Sequence, residues 1–225
     1  MSALITETLT PYKIVSQLPP DTVVTFHGVS WEEYEQLLER VGEASGLRLS
    51  YDDGTLQAMT LSYEHENYAC FLDKLITVIN LRLRINIRSF GSATMKKRRV
   101  RKGNEPDACY YVQSASLIGN RMDIDINTDP PPDIAVEIDV HHDSRSKLSI
   151  YASLGVPEVW RYNGARVEFY RLVEEGYAVI PASDLFPFLM PAALVEYLRL
   201  GSAQGINTMR RAFRVWVQAH KPSQD

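Results

Sequence analysis

Acidic residues occupy two short β-like segments at positions where a strand usually carries apolar side chains. In PPDIAVEIDV, alternate side chains lie on opposite faces of a strand, so the carboxylates share one face and Ile and Val the other. Those carboxylates belong to Asp133, Glu137 and Asp139. Asp107 follows Pro106 at the start of the second segment, and pairing of the two strands can bring it opposite Glu137. Because hard cations such as Mg²⁺ favour carboxylate oxygens, the pattern predicts a metal site.

A lysine completes the chemistry that these carboxylates suggest. Lys147 comes ten positions after Glu137, on a predicted helix that can fold back over the end of the strand. Asp107, Glu137, the backbone carbonyl of Ile138 and the ammonium of Lys147 would then converge. Such a cluster suits phosphodiester hydrolysis, in which a metal polarises a phosphoryl oxygen and the lysine orients water or offsets developing charge.

Simpler interpretations of the same residues stay open. A strand with alternating acids is often open to solvent on one face, and a lone lysine is usually a solvated helix residue. Asp133 follows a run of prolines, which favours a turn or cap residue over a metal ligand.

Composition limits the class of protein. The 225 residues suffice for one domain with a sizeable core, and 45% apolar with 23% charged residues is typical of a folded chain. A net charge of −4 argues against nonspecific coating of nucleic acid, which needs many lysine and arginine contacts. Neither cysteine has zinc-site or disulfide spacing. The start, MSALITETLTPYK, lacks signal-peptide features, and no apolar run could span a membrane, so we expect a cytoplasmic protein that does not bind membranes.

Local patterns predict the elements that position the site. Residues 1–28 suggest an extended lead-in, and Ser30 with Glu33 forms a capping box at the start of a first helix. Asp53-Gly54 predicts a hairpin turn, and Ser62 caps a long amphipathic helix.

The second half of the chain continues the mixture of strands and helices. A short helix begins near Asp143 or Ser144 and closes at Gly155, and Asn163-Gly164 predicts a second hairpin. Helical segments follow at about 191–200 and 206–219. Because strands and helices do not alternate regularly, we predict an α/β or α+β fold with a mixed sheet flanked by helices. Its domain would span residues 29–200, with a C-terminal helix in 201–225.

Three blocks of sequence carry a resemblance to a known family. EPDACYYVQ, PPPDIAVEID and KLSIYASLGVPEVWRY, in this order, resemble the Uma-type family of nucleases in the PD-(D/E)XK restriction-endonuclease-like superfamily. The resemblance covers roughly residues 28–200. It implies a four-stranded mixed central sheet, Asp107 and Glu137 as metal-binding carboxylates, Mg²⁺ or Mn²⁺ as cofactor, and DNA as substrate.

The chain departs from the superfamily pattern at one position. The pattern has lysine two residues after Glu137, where this chain has Asp139; in the Uma-type family the following helix commonly supplies the lysine, which matches Lys147. Asp139 is then either a further ligand or a partner of Lys147, and we favour the partner. The resemblance also places Glu64 and His65 where related nucleases bring an extra acidic ligand, and Glu66 could substitute for Glu64.

One dense basic run, KKRRVRK, precedes the Asp107 segment. It is either a solvated strand pair or a surface that contacts DNA phosphates beside the site. The candidate contacts are Lys96, Lys97, Arg98, Arg99 and Arg101.

The C-terminal apolar stripe has two interpretations. Met209, Phe213 and Trp216 lie at helical spacing, which is typical of core packing. Alternatively, the stripe joins two subunits of a homodimer, which would allow both strands of a duplex to be cut.

The sequence thus supports three functions that share one site. The first is a metal-dependent DNA endonuclease, and the second is a nucleic-acid-binding or regulatory protein that keeps the fold without turnover. The third is hydrolysis of a smaller phosphate ester.

Overall fold

The structure is a computed structural model that describes residues 18–42 and 46–222. Within these residues the strands are β1 (Val23–His27), β2 (Leu47–Asp52), β3 (Thr55–Thr60), β4 (Arg88–Ser89), β5 (Met95–Lys97), β6 (Lys102–Asn104), β7 (Ala108–Tyr111), β8 (Ile134–Ile138), β9 (Glu158–Tyr162), β10 (Val167–Val173) and β11 (Gly176–Ile180). The α-helices are α1 (Trp31–Val41), α2 (Tyr63–Leu83), α3 (Ala115–Ile118), α4 (Leu148–Leu154), α5 (Pro191–Gln204) and α6 (Ile206–His220). Short 3₁₀ turns cover Arg98–Val100 and Arg145–Lys147.

The strands of the described residues form two sheets. A five-stranded antiparallel sheet has the order β1-β3-β2-β6-β5, and a six-stranded mixed sheet has the order β11-β10-β9-β8-β7-β4. Only β8 and β9 of the larger sheet run parallel. The predicted fold class is confirmed, but the expected number of four strands in the central sheet is wrong, since the larger sheet has six.

Local signals in the sequence set the first elements as predicted. The amide of Glu33 donates to Ser30 Oγ at 3.2 Å, and the Ser30 amide donates to Glu33 Oε2 at 2.7 Å. This reciprocal pair is the predicted capping box of α1. Asp53 and Gly54 both have positive φ at the turn between β2 and β3, and Ser62 caps α2 through the amide of His65 at 3.2 Å.

One face of the six-stranded sheet carries the largest hydrophobic core. Helices α2, α5 and α6 cover it, and Trp160, Phe169 and Phe213 are completely buried there. Met209 and Phe213 lie in this core, so the C-terminal stripe is packing surface, as its simpler interpretation predicts. The homodimer stays a prediction.

The opposite face of β8 is buried as well. Every residue of Ile134–Ile138 is buried, and Ala135 packs against α4 residues such as Tyr151 and against Met95 of β5. The interpretation of the acidic face as a solvated surface is therefore wrong. Carboxylates on this face need partners inside the protein, because an unpaired buried charge is costly.

The lead-in and the termini are described in part. Val23–His27 forms β1 and pairs with Thr55–Met59 at the edge of the smaller sheet, whereas residues 1–17 lie outside the described residues. No helix among the described residues has the length and apolar character needed to cross a membrane.

Candidate active site

Strand pairing brings the two key carboxylates together. Strands β7 and β8 are antiparallel with Ala108 opposite Val136, and the Asp107 amide donates to the Val136 carbonyl at 2.9 Å. Continuing this register by one residue places Asp107 opposite Glu137. The Ile138 amide also donates to Asp107 Oδ2 at 2.7 Å, which ties the first carboxylate to the backbone beside the second.

Glu137 is held by side chains from three elements. Lys147, at the end of the 3₁₀ turn before α4, donates from Nζ to Glu137 Oε2 at 2.8 Å. Asn104 Nδ2 on β6 donates to Oε1 at 3.1 Å, and the Tyr151 hydroxyl on α4 donates to the same oxygen. Both carboxylate oxygens therefore have partners, which offsets the cost of burying Glu137 at 2% exposure.

Two of these partners were missed from the sequence. Tyr151 lies one helical turn after Lys147 and within the block that carries the family resemblance, so its position offered a signal. Asn104 has no comparable signal, because β6 belongs to the smaller sheet and meets Glu137 only in the folded protein.

His65 and Arg48 also lie close to the Asp107 carboxylate. Nε2 of His65 lies 3.1 Å from Asp107 Oδ2, and Nε of Arg48 lies 3.5 Å from Asp107 Oδ1. Neither contact has hydrogen-bond geometry, and the two nitrogens and Oδ1 are buried without a hydrogen-bond partner in the described part of the chain. The sequence interpretation included His65 but missed Arg48.

The buried charges shift one another's pKa values. Burial alone would lower the pKa of Lys147, but Glu137, Asp107 and Asp139 outweigh it and raise that pKa, so Lys147 stays an ammonium ion. Burial would raise the pKa of Asp107, but His65 and Lys147 hold it below its usual value. Burial and the neighbouring carboxylates raise the pKa of Glu137, more than Lys147 lowers it.

The predicted pairing of Asp139 with Lys147 is wrong. Asp139 Oδ2 instead accepts from Arg161 Nε and from Ser144, whose amide and hydroxyl lie at 3.1 and 2.8 Å. Arg161 lies on the neighbouring strand β9 and offers a fork of donors, one of which also reaches Glu168 at 3.0 Å. Lys147 instead forms its ion pair with Glu137.

The two acidic residues at the start of α2 have different surroundings. Glu64 is exposed, and its Oε2 lies 3.3 Å from Nε2 of His141. Glu66 Oε1 lies 3.5 Å from Nη2 of Arg48 and 3.9 Å from Nδ1 of His65. Glu66 is thus connected to the surroundings of Asp107, whereas Glu64 contacts His141.

Asp133 takes the structural role that the sequence suggested. Its Oδ2 accepts from the amides of Val112 and Ser114 at 2.6 and 2.9 Å, and its Oδ1 accepts from the Ser114 hydroxyl at 3.0 Å. These bonds close the turn after β7. Both oxygens are therefore occupied at the other end of β8 from Glu137.

The basic run is largely engaged with the protein itself. Lys96 and Arg98 form ion pairs with Glu35 at 2.9 and 2.7 Å, and Arg98 also pairs with Glu32 at 2.9 Å. Two further members are also bound, since Lys97 donates to the Leu154 carbonyl at 2.9 Å and Arg101 pairs with Asp53 at 2.8 Å. Arg99 is exposed.

Comparisons with known proteins agree with this fold. A crystal structure described as "a putative nuclease belonging to DUF820" from Anabaena variabilis superimposes with a TM-score of 0.52 at 17% identity, covering 76% of this chain and 99% of that chain. The fold is therefore that of a protein described as a nuclease. The family model Uma2, described as "Putative restriction endonuclease", matches residues 31–200, and the chain belongs to this family. No curated protein matches the sequence.

The family raises the question of a divalent metal. Among the described residues, no group of three or more His, Cys, Asp or Glu side chains is arranged to hold a metal ion. The smaller set of two facing carboxylates nevertheless fits one, because Asp107 Oδ1 is buried and accepts no hydrogen bond there. A buried oxygen without a donor is a common sign of a missing ion or water.

Proposed function

We propose that the protein is a metal-dependent endonuclease that hydrolyses DNA phosphodiester bonds. The proposal rests on one observation. Asp107 and Glu137 are both buried and lie opposite each other where β7 and β8 pair, and Lys147 Nζ lies 2.8 Å from Glu137 Oε2. Membership of a family described as restriction endonucleases supports the same reaction class.

The proposal assigns a role to each group. Asp107, Glu137 and the Ile138 carbonyl would hold Mg²⁺ or Mn²⁺, which when bound polarises a phosphoryl oxygen and lowers the pKa of a bound water. Lys147, which donates to Glu137, would orient the attacking water or offset negative charge on the phosphate. His65 and Asn104 are positioning residues, since they contact Asp107 and Glu137 respectively.

A second candidate is a DNA-binding protein that keeps the fold without turnover. Both oxygens of Glu137 already accept hydrogen bonds from Lys147, Asn104 and Tyr151. A metal ligand would have to give up at least one of these bonds. If that exchange is too costly, the protein binds nucleic acid but does not cut it.

A cleavage assay separates the two candidates. Purified protein is incubated with supercoiled, linear and single-stranded DNA, with and without Mg²⁺ or Mn²⁺, beside Asp107→Asn and Glu137→Gln variants. The endonuclease proposal expects metal-dependent cleavage that both substitutions abolish. Cleavage that survives in both variants points to a contaminating nuclease and rejects the assigned site.

The matched control is Glu158→Gln. Glu158 is also a buried glutamate, on the adjacent strand β9, but its carboxylate accepts from Trp160 Nε1 and from the Asp184 amide. The same chemical change at this position should leave cleavage intact. DNA binding without cleavage by the unaltered protein would favour the second candidate, and neither binding nor cleavage would favour a smaller phosphate ester.

The remaining assignments belong to the same proposal. The nuclease domain spans residues 29–200, and residues 201–225 form a C-terminal segment that contains α6. The location is cytoplasmic, and two subunits would cut both strands of a duplex. Size measurement by light scattering tests the dimer.

A further inference from the structure

A basic groove lies between α2 and α6, on a part of the molecule that the candidate site does not use. Its volume is about 560 Å³, and apolar Val78 and Leu81 line it on the α2 side. Four arginines surround this apolar strip, namely Arg82, Arg210, Arg211 and Arg214.

The positive charge of this groove is not balanced by acidic side chains among the described residues that line it. None of the described residues that line it is a carboxylate, and the α6 sequence from 206 to 220 contains no Asp or Glu. The chain as a whole carries a net charge of −4. A concentrated positive surface on an acidic protein is therefore a local feature that attracts an anionic partner.

Packing fixes the side of α6 that presents the arginines. Met209, Phe213 and Val217 are completely buried against the core, so their face of the helix cannot rotate outward. Arg210 and Arg214 are four residues apart and therefore lie one turn above the other on the exposed side. Arg82 reaches the same groove from α2.

The basic run of the sequence offers a contrast. Lys96 and Arg98 already neutralise Glu32 and Glu35 of α1. Binding of a phosphate there would have to break these ion pairs, whereas the groove between α2 and α6 has no wall carboxylate to displace among its described residues.

We propose that this groove binds the phosphodiester backbone of DNA. Planar guanidinium groups pair with phosphate oxygens through two hydrogen bonds, and a row of them follows successive phosphates of a strand. The choice of DNA as the polyanion rests on the proposed function, while the groove itself is independent of cleavage.

The groove is separate from the groups assigned to cleavage. Arg82 comes seventeen residues after His65 along α2, which corresponds to about 25 Å along the helix axis. Substitutions of the arginines therefore leave the contacts of Asp107 and Glu137 unchanged, so binding and cleavage can be tested separately.

The test is binding of a labelled DNA duplex of about 20 base pairs, followed by fluorescence anisotropy between about 50 and 200 mM salt. The variant combines Arg210→Gln, Arg211→Gln and Arg214→Gln. Each lost phosphate contact reduces the slope of log affinity against log salt by about 0.9, so we expect a reduction of up to about 2.7. At intermediate salt the affinity should fall at least about tenfold.

A charge-matched control carries Lys96→Gln, Arg98→Gln and Arg101→Gln, three members of the basic run that already form ion pairs. It removes the same charge from the basic run, and we expect less than about a twofold change in affinity. Equal losses in the two variants would mean that only net charge matters, and unchanged binding in the α6 variant would also overturn the proposal. Far-UV circular dichroism and thermal melting confirm that each variant is folded.

Two further measurements test whether DNA is the ligand of the groove. They also distinguish DNA binding by the groove from the proposed endonuclease function. If inorganic tripolyphosphate binds the groove but the α6 variant retains DNA affinity, the groove is a small-anion site and the proposal is wrong. Glu158→Gln, whose carboxylate lies outside the assigned active site, should bind the duplex as well as the unaltered protein. Loss of binding in the α6 variant together with persistent cleavage by Glu137→Gln would reject the assigned active site and keep the groove.

Discussion

Two glutamate–lysine pairs in this molecule have nearly the same geometry in very different surroundings. Lys147 Nζ lies 2.8 Å from Glu137 Oε2, and their side chains are 10% and 2% exposed. Lys96 Nζ lies 2.9 Å from Glu35 Oε1, and these side chains are 36% and 29% exposed. The contact distance therefore does not distinguish the pairs, whereas their access to water does.

The pKa values of the two glutamates shift in opposite directions. Hydrogen bonding to Lys96, together with contacts to Arg98, lowers the pKa of Glu35 by more than burial raises it. Burial and nearby carboxylates raise the pKa of Glu137 despite its lysine. The Lys96–Glu35 pair therefore favours the ionised form of its glutamate, whereas burial of the Lys147–Glu137 pair disfavours the ionised form of Glu137. Such a desolvation cost is typical of functional sites.

The largest expected effect is at the buried pair. Lys147→Met removes the ammonium and leaves Glu137 buried without its charge partner, so the free energy of unfolding should fall by about 3–5 kcal/mol. Urea denaturation measures this change. A loss below about 1 kcal/mol would mean that water already reaches the pair.

The double variant Glu137→Gln with Lys147→Met sharpens that measurement. It removes both charges, and the new amide can donate to Asn104 Oδ1, which is buried without a hydrogen-bond partner in the described part of the chain. We expect the double variant to be more stable than Lys147→Met alone. Additive losses would show that the two side chains do not interact.

A smaller effect is expected beside the site, at Arg161. Arg161→Lys keeps the charge but replaces the fork that contacts Asp139, Glu168 and Asp143 with a single ammonium. Asp139 is buried and loses a charged donor, so unfolding should become easier by about 1.5–3 kcal/mol. The same urea titration applies, and an unchanged midpoint would mean that a single ammonium at this position reaches all three carboxylates.

The half-buried Lys96–Glu35 pair should contribute least. Lys96→Met is expected to cost about 0.2–1 kcal/mol, and added salt at about 1 M should abolish the difference because exposed charges are screened. The Lys147→Met difference should persist at the same salt concentration. Equal salt sensitivity in the two variants would contradict the role assigned to burial.

The half-buried Lys96–Glu35 pair also predicts a pH dependence. The pKa of Glu35 is lower in the folded protein than its ordinary value of 4.5. Its contribution to stability is therefore complete above about pH 4.5 and is lost as the pH falls through the folded pKa. Carboxyl NMR should give a midpoint below 4.5 in the unaltered protein and a higher midpoint in Lys96→Met.

Short-range patterns predicted much of the fold. The capping box of Ser30 and Glu33, the turn at Asp53-Gly54 and the cap at Ser62 all appear where the sequence indicated. Each depends on residues within a few positions of one another, so its physical cause is visible in the sequence. The number of strands in the central sheet was wrong: β11 joins one edge beside its neighbour in sequence, β10, and β4 joins the other edge by pairing with the more distant β7.

The sequence by itself determined which residue types could form the site: Asp107 and Glu137 in two β segments and Lys147 after them. Only the tertiary structure decided their partners, since Asn104, Arg48 and Arg161 reach the site through strand register and the packing of two sheets. It also decided that the basic run is neutralised by α1 while arginines of α2 and α6 form a groove. The reason is that a buried charge takes whichever partner packing brings within hydrogen-bond distance, and spacing along the chain does not specify that partner.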